Sequence, residues 1–271
     1  MFPASVFKQQ RAHECMAPYD IVGNIAIVKF RRETKASEKK RVAAQLLRQH
    51  AQLITVLEKT GRFKGRLRAQ KTRYIAGERM KEAVYRENGC VFRLDVDRCY
   101  FSPRLASERK KIAEMVKEGE RVLVMFGGVA PFAIVIARLA KPKCVVSMEL
   151  SRACTRYARE NVLKNKVQRI VETVQGDVRR LIPKVKEKFD RVVMPRPNLR
   201  ESFLSFALRA VKKGGVIQYY GFYRENEREE MKRLIESEAR KARKKVKIIR
   251  VKKAGNIGVR RYRWRADLRV N

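Results

Sequence analysis

Three short apolar runs after residue 120 end in residues suited to holding a nucleoside. RVLVMF (Arg121–Phe126) stops in Gly127-Gly128, CVVSMEL (Cys144–Leu150) carries Glu149 near its end, and Asp177 follows a run near 170–174. The glycines let a ligand approach the main chain closely. A carboxylate at a strand end, such as Glu149, accepts hydrogen bonds from both hydroxyls of a ribose, and Asp177 is placed to hold an adenine amino group. Residues of this kind work together at the carboxyl ends of a parallel sheet, where the strand order reverses. The loop after Phe126 lacks the G-x-G-x-x-G spacing of NAD-binding chains, and no G-x-x-x-x-G-K is present for a nucleoside triphosphate. S-adenosylmethionine is the cofactor that this pattern leaves.

The elements that must position these residues alternate in type. A basic helix is expected over 105–116, then a strand at Arg121–Phe126, a helix from Pro131 and a strand at Cys144–Leu150. A helix over Ser151–Asn165 follows, with strands at Ile170–Val174, Phe189–Met194 and Gly214–Tyr220, a charged helix and two closing strands. Strands alternating with helices predict an α/β, doubly wound, Rossmann-like sheet. A smaller α+β module is expected before it. There Tyr19–Phe30 reads as a strand with a Gly-Asn break near its start. From Ser37 a helix follows with Val42, Leu46, Leu47, Leu53, Ile54 and Leu57 on one stripe. Short strands are expected at 61–68, 73–76 and 91–96. The boundary falls near 101–108, which divides the chain into 1–104 and 105–271.

Charge narrows the partners. The 271 residues include 66 Lys and Arg against 28 Asp and Glu, a formal net charge of +38. With 45% hydrophobic residues the chain is globular, and the surplus points to a polyanion, nucleic acid before membrane. No apolar run reaches transmembrane length, and MFPASVFKQQ has none of the parts of a signal peptide, so a cytoplasmic location is expected. Cys15, Cys90, Cys99, Cys144 and Cys154 are scattered without a C-x-x-C pair, and only His13 and His50 could join them, so no metal is expected. Arg240–Arg265 holds 13 basic residues in 26 and no acid, with Tyr262 and Trp264 between Arg261, Arg263 and Arg265. One cationic strand face there would contact phosphates.

The segment YRENGCVFRLDVDRCYFSPRLASER (Tyr85–Arg109), followed by VLVMFGGVAPFAIVIA, resembles the archaeal and eukaryotic tRNA (guanine-37-N1)-methyltransferase family. The resemblance runs from about Tyr19 to the C-terminus. MPRP (Met194–Pro197) resembles the archaeal wyosine-pathway branch, whose members methylate guanine N1 and also C7 of the tricyclic imidazopurine (imG2) made from it. The resemblance implies a Rossmann-like S-adenosylmethionine methyltransferase sheet, with the smaller N-terminal module for tRNA. It places the acid/base glutamate on Glu108 and a substrate-stabilising arginine on Arg68. Tyr100 and Arg104, with Pro195 and Pro197, fall on the target-base pocket. Phe126, Gly128, Val129, Glu149, Leu150, Asp177 and Val178 fall on the cofactor shell.

These roles make chemical sense. Guanine N1 carries a proton that a base such as Glu108 must accept, and the charge that builds on the neighbouring carbonyl suits a guanidinium such as Arg68. Three positions depart from the family pattern. Val124 replaces an aspartate, Ala130 replaces a glycine, and Pro195 stands where many relatives have an asparagine. A proline offers the guanine edge only its carbonyl and opens the loop to a bulkier base. The resemblance begins in the family's middle module, so the additional N-terminal domain with which relatives check the tRNA elbow is expected to be missing and discrimination of overall tRNA shape to be weaker. The expected partner is tRNA, phenylalanine tRNA first, bound by a monomer. Transfer of the aminocarboxypropyl group of the same cofactor is the first alternative, and a non-catalytic RNA-binding protein is the second.

Overall fold

The computed structural model describes residues 17–61, 65, 69–196 and 201–271. The N-terminal part is a four-stranded sheet of β1 (Tyr19–Val22), β2 (Ile25–Val28), β3 (Thr55–Lys59) and β4 (Thr72–Gly77), in that order, with helix α1 (Ala36–Gln49) packed on it. The single strand expected over Tyr19–Phe30 is a hairpin. Gly23 adopts φ +58°, and a Cβ there would lie 1.9 Å from the Val84 carbonyl oxygen, so the chain reverses where only glycine fits. The helical stripe also ends earlier than Leu57. His50 is extended and caps the helix, and Thr55–Lys59 is a strand parallel to β2. Leu53 and Leu57 are buried as expected, although a strand rather than a helix buries Leu57. Of the strand expected at 61–68, residues 62–64 and 66–68 lie outside the described residues.

A two-stranded ribbon follows, β5 (Glu82–Glu87) with β6 (Cys90–Asp95). Its first strand, EAVYRE, is too charged to stand out in the sequence. Helix α4 (Arg152–Lys164) closes the free edge of β6 with two side chains. The Asn161 amide accepts from Arg93 N at 2.7 Å and donates to Arg93 O at 3.0 Å. Asn165, one turn on, does the same for Val91 at 2.8 and 2.7 Å. Two amides four residues apart thus satisfy backbone groups as an added strand would.

The large sheet has seven strands in the order β12-β13-β11-β10-β7-β8-β9. Its central strands are β7 (Arg121–Met125), β8 (Cys144–Glu149), β9 (Val171–Gln175), β10 (Phe189–Met194) and β11 (Val211–Arg224), all parallel. β12 (Val246–Gly258) and β13 (Arg261–Val270) form an antiparallel hairpin that joins β11 through β13. The helices α2 (Ala106–Glu114), α3 (Pro131–Leu139), α4, α5 (Val178–Leu181), α6 (Leu204–Ala210) and α7 (Arg228–Lys241) make the connections. Val122 to Met125 of β7 are fully buried, because a central parallel strand is covered on both faces. After β9 the chain returns to lay β10 on the other side of β7. That reversal opens a crevice at the carboxyl ends of the two strands.

Candidate active site

The loop leaving β7 is bent three times. Phe126, Gly128 and Ala130 have φ of +59°, +57° and +64°. The two non-glycine residues each carry about 1 kcal/mol of backbone strain for this shape. Gly127 packs tightly under β8, since a Cβ there would lie 2.1 Å from Ser147 Oγ and force that side chain to move. Glu149, at the end of β8, accepts from Gly128 N at 2.8 Å through one oxygen and from Ser151 N at 2.7 Å through the other. Burial pushes its carboxyl above the ordinary glutamate value, although these amide donors oppose the shift. Asp177 caps α5 by accepting from Arg179 N at 3.0 Å and pairs with the Arg179 guanidinium at 2.7 Å.

These groups border a cavity of about 990 Å³ at the strand-order reversal. Phe126, Gly128, Glu149, Leu150, Asp177 and Val178 lie along it, as do Tyr100, Arg104 and Pro195. The two sets expected for cofactor and target base therefore open into one space. Val129, expected in the same shell, is fully buried in the core cluster that holds Cys154 and Tyr157, because the bent loop turns it inward. Arg68 and Pro197 lie outside the described residues. Arg104 pairs with Asp20 of β1 and so ties the cavity rim to the N-terminal sheet. The residues present fit S-adenosylmethionine. Gly128 puts main chain rather than a side chain along the cavity, and the Glu149 carboxylate at the strand end offers acceptors to a ribose.

Glu108 sits behind this wall and not in it. Its carboxylate accepts from Tyr220 Oη at 2.9 Å and from Arg265 at 2.7 Å, with Lys252 Nζ at 3.4 Å. Asp267, 2.9 Å from Arg265, shares the arginine's charge. Tyr220 lines the cavity, so its phenol is the link from the cavity to Glu108. Burial, with the Glu108 charge added, holds that phenol well above its usual range, so it stays a donor. The expected cationic face of Arg261, Arg263 and Arg265 is corrected as well. Arg265 is 1% exposed and belongs to this network, because β13 lies inside the sheet over that stretch.

Several wall residues carry no motif in the sequence. Phe222 and Arg263 are cross-strand partners in β11 and β13, with the guanidinium 5.3 Å from the ring centre and 3.4 Å from Tyr100 Oη. The strand alternation in IQYYGFYR puts Tyr220 and Phe222 on one face, which was the available signal. Residues 255–260, at the tip of the β12–β13 hairpin, complete the rim. Among the described residues no group of three His, Cys, Asp or Glu is placed to hold a metal, and no helix is long and apolar enough to cross a membrane. The described cysteines, Cys90, Cys99, Cys144 and Cys154, are free thiols.

Residues 83–249 match the TRM5/TYW2 methyltransferase domain, and residues 5–80 match the TYW2 N-terminal domain. Trm5b of Pyrococcus abyssi, a tRNA (guanine(37)-N(1))-methyltransferase, is 35% identical over 93% of this chain and 74% of its own. Its crystal structure superposes with a TM-score of 0.83, covering 94% of this chain and 75% of that one. Taw22 of Nanoarchaeum equitans, a tRNA (guanine(37)-N(1))/4-demethylwyosine(37)-methyltransferase, is 31% identical over 92% of this chain and 98% of its own. The structure of aTrm5 in complex with tRNALeu, 25% identical, superposes with a TM-score of 0.84 over 98% of this chain and 77% of that one. The chain belongs to the TRM5/TYW2 family of S-adenosylmethionine-dependent methyltransferases, which holds the tRNA guanine-37 N1-methyltransferases and their wyosine-pathway relatives.

Proposed function

We propose that this protein methylates nucleotide 37 of tRNA, at guanine N1 and at C7 of the tricyclic imidazopurine later built on the same nucleoside. The observation that carries this reading is the single cavity that joins the strand-end cofactor groups to Tyr100, Arg104 and Pro195. Pro195 leaves the base side without an amide side chain and with room for a larger ring system. The Nanoarchaeum equitans relative, whose name covers both activities, supports the same reading.

Bound S-adenosylmethionine supplies an electrophilic methyl group on a sulfonium. The protein's part is to align the base and move its proton. As the N1–C bond forms, the N1 proton passes to Tyr220 Oη while Tyr220 gives its own proton to Glu108, so the net acceptor is Glu108. Asp267, 2.9 Å from Arg265, shares that guanidinium with Glu108. The resemblance assigns Arg68 to the developing charge on the carbonyl oxygen. Phosphates are met by the exposed cations Arg240, Lys241, Arg243, Lys245, Lys247, Arg250, Lys253, Arg260 and Arg261. We place the reaction in the cytoplasm, on phenylalanine tRNA, with the enzyme a monomer.

The test presents unmodified phenylalanine tRNA and tRNA bearing the demethylated tricycle, each with S-adenosylmethionine, and weighs the digested nucleosides. One added methyl group on both substrates is the expected result. Methylation of guanosine alone would remove the C7 activity, and an aminocarboxypropyl adduct on the tricycle would replace it with the sibling transfer. Binding without any adduct would leave an RNA-binding protein.

A further inference from the structure

The hairpin of β12 and β13 ends in a two-residue loop, since Gly258 pairs with Arg261 and only Val259 and Arg260 lie between. Loops of this length favour asparagine and glycine, which adopt the required left-handed conformation cheaply. Here Arg260 takes φ +52°, next to a β-branched valine. The approach is stiffened by Asn256, whose Oδ1 accepts from Gly258 N at 3.0 Å. The loop therefore gives up turn propensity for an apolar side chain held on a firm stem and flanked by cations.

Among the described residues almost nothing packs on that side chain. Val259 is 93% exposed, the highest value among the exposed large hydrophobic residues, and Ile257 beside it is 38% exposed. Both belong to the rim of the cavity. Arg260 and Arg261 are exposed on the same tip. An apolar point among arginines, at the mouth of a cavity that must receive a single base, suits an RNA loop and no uncharged partner. Enzymes that work on a base inside a stack must extrude it and meet the cost of unstacking, and an apolar side chain that enters the gap recovers part of that cost.

Resting on the tRNA reading above, we propose that the tip of the β12–β13 hairpin is a wedge. Val259 enters the anticodon-loop stack in the space left by nucleotide 37, while Arg260 and Arg261 hold the flanking phosphates. The occupant is a single-stranded RNA loop, and the wedge stabilises the extruded state without touching the cofactor.

The test uses the full chain and tRNA carrying 2-aminopurine at nucleotide 37, whose emission rises as it leaves the stack, without S-adenosylmethionine. The variants are Val259→Asn, which suits the turn better and is expected to leave the melting temperature unchanged or higher, and Val259→Ile, which keeps the wedge. Val259→Asn is expected to lose more than half of the emission rise and, on ordinary tRNA, to slow single-turnover methyl transfer about tenfold. The tRNA Kd by anisotropy stays within about twofold because the phosphate contacts remain. Val259→Ile restores both signals. A full emission rise with Val259→Asn would overturn the wedge and leave the methyltransferase reading standing. No rise with the wild-type protein, together with no methyl transfer to tRNA, would overturn both.

Discussion

Tyr220 lines the cavity and gives its hydroxyl hydrogen to Glu108 behind it, at 2.9 Å, across 112 residues of sequence. Glu108 thus reaches the reaction space through another side chain. Tyr220→Phe keeps the packing and removes the link. Single-turnover methylation of guanine N1 should fall about 100-fold, the lower end of what a positioned acid or base contributes. Cofactor binding by calorimetry should stay the same. An unchanged rate would remove Tyr220 from the proton path.

Glu149→Gln should abolish S-adenosylmethionine binding, since one ribose acceptor becomes an amide donor. In the ligand-free protein the carboxyl proton makes stability depend on pH. The raised carboxyl pKa means that the folded state holds this proton more tightly than the unfolded chain, so stability falls as pH rises from the unfolded value near 4.5 through the folded one. Wild type without ligand is therefore expected to lose stability between about pH 4 and neutral, a pH dependence that the variant lacks, while the variant's single amide oxygen serves only one of the donors Gly128 N and Ser151 N. Thermal melts across pH without ligand check this.

Phe222 and Arg263 form an aromatic–guanidinium pair on the cavity wall beside Tyr100. Stacking of a base on such a surface is worth about 1–3 kcal/mol. Phe222→Ala should lower kcat/KM for tRNA by about 10- to 100-fold, whereas Phe222→Trp should keep most of the activity and the cofactor Kd should not move.

Pro195→Asn restores a side-chain donor and acceptor at the guanine edge. One additional hydrogen bond of about 1 kcal/mol should raise N1 methylation about fivefold relative to methylation of the tricycle. Competition between the two tRNA substrates in one tube reads that ratio directly. An unchanged ratio would make Pro195 incidental to substrate choice.

Arg109 and Glu87 form a buried bidentate pair at 2.5 Å, with the guanidinium 5.0 Å from the Phe101 ring centre. Glu87→Ala leaves the arginine charge buried without its partner and should cost about 3–5 kcal/mol in denaturant unfolding. Replacing both residues by apolar ones of similar volume should cost far less.

Much of this was legible in the residues. Arg121–Phe126 and Cys144–Leu150 declare themselves as central strands by unbroken branched apolar residues, and that pattern located the cavity. What the sequence concealed depends on contacts distant in the chain. Thr55–Lys59 looked helical because Leu53 and Leu57 continue the spacing of the preceding helix, and its pairing with β2 overrides that spacing. Glu108 could be marked by its motif, yet its burial behind Tyr220 depends on Arg265 from the last strand. Val129 sat in the right loop, and only the left-handed bends on either side turn it inward.

The paired amides of Asn161 and Asn165 have a cost in time. They serve backbone groups 68 and 74 residues earlier in the chain. At about 5–20 residues per second of synthesis, the β5–β6 ribbon leaves the ribosome several seconds before the helix that completes it. Throughout that interval β6 presents bare amides and carbonyls to whatever strand is nearby. Charged residues in the ribbon, such as Arg93 and Glu82, which pair with each other in the finished protein, are what keeps the nascent edge in water until its helix arrives.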